Sequence, residues 1–128
     1  MKMILSLFIL LPFLIQASEE CNNIQSSQQV YLCSKKSLED SDAELNYIYK
    51  EILLNVGKEY ISHSELKTEY INKIKLSQRA WIDFRDKNCE VFSFQIDPKT
   101  QAYETSMNSC RNDITRKRIA ELNAMLEQ

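Results

Sequence analysis

Four cysteines, Cys21, Cys33, Cys89 and Cys110, follow an apolar leader and limit the possible folds of this 128-residue chain more than any other feature. An even number of cysteines in a short exported chain reads as two disulfides. Three pairings are open. The sequential one, Cys21–Cys33 with Cys89–Cys110, is expected because each bridge closes a short local loop. Each such loop contributes about 3 kcal/mol by removing freedom from the unfolded chain. A metal site is not expected, because no C-x-x-C unit is present and His63 is the only histidine. No cofactor is implied.

The leader has one early charge, Lys2, an apolar run from Met3 to Ile15 and a small residue, Ala17. That order predicts a signal peptide over residues 1–17, cleaved before Ser18, and one domain over residues 18–128. The run is shorter than the roughly 20 residues of a spanning helix and contains Pro12. Cys21 follows Ser18-Glu19-Glu20 and not the small-residue box of a lipoprotein. The mature chain is therefore expected to be periplasmic or secreted, with no membrane span. The whole chain carries a net charge of −2, and cleavage removes only Lys2 of its charged residues. This mild acidity gives no support for nucleic-acid binding.

One glycine and two prolines leave little turn punctuation, which predicts a mostly helical chain. From Ser41, the positions Leu45, Ile48, Tyr49, Ile52, Leu53 and Val56 recur at helical spacing, with Ser41 and Glu44 as a capping box and Gly57 near the end. A second helix, expected to be the longest, starts near Ser62 or Ser64, with Ser62 and Glu65 as its box. Its expected inner face runs through Leu66, Tyr70, Ile74, Ser77, Trp81 and Phe84 towards Cys89. Phe92, Phe94 and Ile96 then alternate with Ser93 and Gln95, which suggests an extended or looped segment. Asp97-Pro98 suits a turn or a helix start, and a last helix carries Met107, Cys110, Ile114, Ile119, Leu122 and Leu126. The fold class is all-α, a small antiparallel bundle with two disulfides. A further helical turn is possible between Cys21 and Cys33.

No catalytic set is visible. His63 sits at the expected start of the second helix with no serine or acid at a spacing that forces approach, and paired cysteines are poor nucleophiles. The chain is read as a non-enzyme. Trp81 and Phe84 are expected in the core, with Trp81 at its centre. Arg85 and Asp86 diverge by about 100° on a helix, and one of them is expected to pair with Arg118 or Glu44. Asn46 is expected to be a buried pinning residue, and Asp40 and Asp42 a solvated acidic face.

Taken together, these elements resemble the lysozyme-inhibitor LprI N-terminal-like family of exported bacterial proteins. The carriers are Cys21 and Cys33, then Asp42-Ala43-Glu44-Leu45-Asn46 with Tyr49. Next comes Gln78-Arg79-Ala80-Trp81 through Arg85-Asp86 to Cys89, and finally Cys110 with Thr115 and Arg118. The loop after Cys89 departs from such proteins, which often have glycines there. The resemblance implies a helical envelope domain that binds a protein partner, lysozyme or another peptidoglycan hydrolase, and blocks its cleft. The expected contact residues are Phe92 and Phe94, flanked by Glu90 and Asp97. The alternative is a periplasmic structural, adaptor or immunity protein that binds an envelope partner without inhibiting lysozyme.

Overall fold

The computed structural model describes residues 21–127, so the predicted leader and its cleavage point lie outside the described residues. Among the described residues there are three helices: α1 (Ser27–Glu59), α2 (Ser64–Phe92) and α3 (Gln101–Leu126). The first is the longest at 33 residues, against 29 for α2, which corrects the expectation that α2 would be.

Helix α1 begins well before Ser41. Ser26 caps it, accepting a bond from the Gln29 amide, and this satisfies one of the orphan donors of the first turn. Ser41 lies inside the helix, is fully buried, and donates to the Leu38 carbonyl. Its serine-glutamate pattern is thus a chance match to a cap. The Ser62–Glu65 box is also absent, since His63 occupies the cap position of α2 without a side-chain bond. Gly57 lies within α1, which continues to Glu59. The residues from 93 to 100 form turns and no extended segment. Pro98 belongs to the turn and not to α3, whose cap is Thr100.

Consecutive helices run antiparallel, so α1 and α3 point the same way. Their side-chain pairs keep a nearly constant offset: Gln28 with Gln101, Tyr31 with Glu104, Ser34 with Asn108, and Asp42 with Thr115. The separations are 73, 73, 74 and 73 residues, so the two helices stay side by side in register.

Three tiers stack along the bundle. At the end near the α1–α2 connection, Leu45, Ile48, Ile52 and Val56 of α1 meet Ile74 of α2 and Ile119 and Leu122 of α3. This is the main core. Burying each such side chain contributes about 1.5–3 kcal/mol. At the opposite end, Cys89, Cys110 and Met107 form a small cluster flanked by Tyr103 and Ile114. Both expected disulfides are present, Cys21–Cys33 and Cys89–Cys110, and there is no free cysteine among the described residues. Between the apolar tiers lies a polar seam.

The inner face of α2 is rotated from the one expected. It passes through Ile74, Gln78, Arg85 and Cys89, which are buried, with Ile71 and Trp81 partly so. Leu66, Ser77 and Phe84 face outward. Hydrophobicity alone turns Phe84 inward. The fold places Arg85 there instead, because its charge has partners on all sides.

Candidate functional site

Arg85 is the centre of the seam. Its Nη1 donates to Asp42 Oδ1 at 2.8 Å and to Thr115 Oγ1 at 3.1 Å, and its Nε donates to Asp86 Oδ1 at 3.0 Å. One guanidinium therefore ties α2 to both other helices. A buried charge is tolerated when paired and hydrogen-bonded, and here the planar donor fork meets three acceptors. Asp86 also meets Arg111 at 3.1 Å. Arg85 and Asp86 thus bond each other directly, and their further partners are Asp42, Thr115 and Arg111. The expected pairing of one of them with Arg118 or Glu44 is not observed: Arg118 joins Gln78 and Glu121, while Glu44 joins Arg116. Asp42 is no free surface acid, because the spacing along α1 aims it at Arg85.

Trp81 is half-buried at the edge of the main core and not at its centre. The guanidinium groups of Arg85 and Arg118 lie over its ring, 5.3 and 5.9 Å from the centroid, where the ring quadrupole attracts cations. Asn46 is exposed and pins nothing in the core. It lies instead with Tyr49 on the α1 wall of a groove between α1 and α2. Opposite them stand Lys75, Gln78, Arg79 and Arg85, and the groove has a volume of about 470 Å³.

The aromatic tip is at the other end. Val91, Phe92 and Phe94 are 76%, 71% and 84% exposed, whereas Ser93 between them is fully buried. The Ser93 hydroxyl shares a hydrogen bond of 2.8 Å with Ser106 of α3. The disulfide holds the Cα atoms of Cys89 and Cys110 5.7 Å apart, a close approach beside which a small residue fits and a ring does not. Across 92–94 the serine therefore points inward and the phenylalanines outward, while Gln95 is exposed and Ile96 partly buried. Val91 and Phe92 still belong to α2, and Ser93 ends it. Glu90 bridges to Lys87, and Asp97 accepts the Lys99 amide, shaping the turn below the tip. Both carboxylates remain exposed. Among the described residues no group of His, Cys, Asp and Glu could hold a metal ion, and no helix is long and apolar enough to cross a membrane.

Fold and seam define a class, the small disulfide-stapled helical domain in which one buried arginine joins three helices. The family model described as lysozyme inhibitor LprI matches residues 18–122, and the chain belongs to that family. It is similar to Uncharacterized protein R02472 of Rhizobium meliloti, at 28% identity over 88% of this chain and 82% of the relative. A 62-residue stretch is 40% identical to Uncharacterized protein YecT of Escherichia coli, covering 46% of this chain and 37% of that one. The crystal structure of a DUF1311 family protein from Pseudomonas putida superposes with a TM-score of 0.68 at 22% identity, covering 80% of this chain and 95% of that one. That likeness carries the fold.

Proposed function

We propose that the mature protein is an exported envelope protein that inhibits a lysozyme-type peptidoglycan hydrolase by placing its aromatic tip in the hydrolase cleft. The observation that carries this reading is the tip itself. Three large apolar side chains stand exposed beside a disulfide that joins α2 to α3. Exposed apolar groups on a rigid support mark interaction surfaces, and aromatic anchors dominate binding energy. A pre-ordered tip also loses little freedom when it binds. Glu90 and Asp97 at its flanks suit a cationic rim. The target class comes from family membership. Occlusion needs no chemistry from the inhibitor, since hydrolases of this class act through two carboxylates inside a cleft.

The test is the clearing of a peptidoglycan suspension by purified lysozyme with increasing amounts of mature protein. Stoichiometric inhibition is expected. Phe92→Ser with Phe94→Ser should weaken it by about 2 kcal/mol or more, roughly thirty-fold. Inhibition at full strength by the double variant would move the interface off the tip. No inhibition of any lysozyme type would favour the adaptor role instead.

A further inference from the structure

Groove and tip are separate features, and the groove has its own chemistry. Three cations, Lys75, Arg79 and Arg85, line it against one carboxylate, Asp42, in a chain whose overall charge is −2. Arg85 is committed to the seam. Lys75 and Arg79 are different: both are exposed, they lie one helical turn apart on α2, and neither forms an ion pair or side-chain hydrogen bond with another described residue. Residues four apart share a helix face, so the two free cations sit together on one lip.

The facing wall is also unspent. On it, Asn46 and the Tyr49 hydroxyl have no hydrogen-bonding partner among the described side chains, and beside the cations on α2 Gln78 uses only its oxygen, accepting from Arg118. Its amide group remains free. The packing accounts for Asp42, Gln78 and Arg85 within the two phrases that carry the family resemblance. It gives no role to Asn46 or Arg79, which come from the same phrases and meet at this groove. Leu45, Leu53 and Ile82 add an apolar lining.

We infer that the α1–α2 groove is a second binding site, independent of the hydrolase reading, and that it takes a short acidic peptide segment with an aliphatic side chain next to its carboxylate. The carboxylate is held by Lys75 and Arg79, the peptide amides by Asn46 and Gln78, and the aliphatic chain by the apolar lining. The volume is within the range of small-ligand clefts, about 300–1,000 Å³. A peptide fits better than a sugar. A neutral sugar would offer no counter-charge to the two free cations of the groove, and the nearby indole of Trp81 is already faced by two guanidinium groups.

The experiment titrates isotope-labelled mature protein with acetyl-Ala-Leu-Glu-amide and follows it by NMR. The neutral acetyl-Ala-Leu-Gln-amide and the trimer of N-acetylglucosamine serve as comparison arms. The acidic peptide should shift the side-chain amides of Asn46 and Gln78 saturably, with a Kd on the order of 1 mM or tighter. The neutral peptide should bind about five-fold more weakly, the scale of an exposed charge pair. Lys75→Gln and Arg79→Gln should each weaken the acidic peptide by a similar factor and leave the melting temperature unchanged, while Arg79→Lys keeps most of the affinity. Equal binding of the two peptides would overturn the assignment. So would tighter binding of the trimer, shifts confined to the tip, or the absence of saturable shifts. A lowered melting temperature in both glutamine variants would make the cations structural and overturn it as well.

Discussion

Replacing Arg85 with methionine tests whether the seam holds the three helices together. The side chain is 11% exposed and makes three hydrogen bonds to Asp42, Thr115 and Asp86. Removing one member of a fully buried pair costs about 3–5 kcal/mol, mainly because the other charge is stranded. Here the stranded groups are partly wet: Asp42 and Asp86 side chains are 39% and 36% exposed, and Asp86 keeps Arg111. Their share falls to about 1–2 kcal/mol on that account. Loss of the stacking over Trp81 adds about 1 kcal/mol, and the apolar stem of methionine recovers part of the packing. The expected net cost is about 2–3 kcal/mol, or some 10–15 °C in Tm for a domain of this size. Urea unfolding of the wild type, R85M, D42N and the double variant measures it. The cycle should give a coupling of about 1 kcal/mol or more, because the residues touch. A cost below about 0.5 kcal/mol, the range of ordinary surface substitutions, would show that the seam is incidental and that the apolar tiers alone hold the helices.

Phe92→Ser with Phe94→Ser should change urea stability by no more than about 0.5 kcal/mol, because exposed rings contribute little to folding; a marked loss would put them in the core. Ser26→Ala should cost about 1 kcal/mol as a lost cap. Ser41→Val should cost about 1–3 kcal/mol by overpacking a fully buried site, and circular-dichroism melts separate this outcome from the capping role that the sequence pattern suggested. Intact mass after alkylation of the native protein should show no modified thiol; incorporation of two or more labels would contradict the two bridges.

The disulfides, the all-helical class and the start of α2 were legible because cysteine parity, scarce glycine and helical spacing are local signals. The start of α1 was not. Ser41 and Glu44 match a cap pattern, and nothing local says that the polar run before them continues the helix that Ser26 begins. The seam was hidden for a related reason. A periodicity reading sorts residues by hydrophobicity, so it turned Phe84 inward and left one of Arg85 and Asp86 to pair with Arg118 or Glu44. Burial of Arg85 depends on Asp42 and Thr115, 43 and 30 residues away in sequence, and no pattern within one helix contains that information. At the candidate site, Phe92 and Phe94 were visible as an irregularity, but their outward direction follows from the small space that Ser93 fills. Asn46 and Arg79 were visible only as members of two phrases; their meeting at one groove is a property of the bundle.

The tiered arrangement has an environmental consequence. One end of the bundle is held by aliphatic packing and the other by sulfur, so the two ends answer to different stresses. Cooling weakens the aliphatic end, since apolar burial fades at low temperature. A thiol reductant acts on the opposite end, where Met107, Tyr103 and Ile114 pack against the cysteines. Reduction should therefore loosen residues 86–110 while residues 45–56 and 119–122 stay shut, which hydrogen exchange with and without reductant can resolve. Uniform loss of protection would mean that the domain opens as one unit. Graded opening would make the aromatic tip a redox-gated surface, rigid while the bridges are oxidised and slackened when they are reduced.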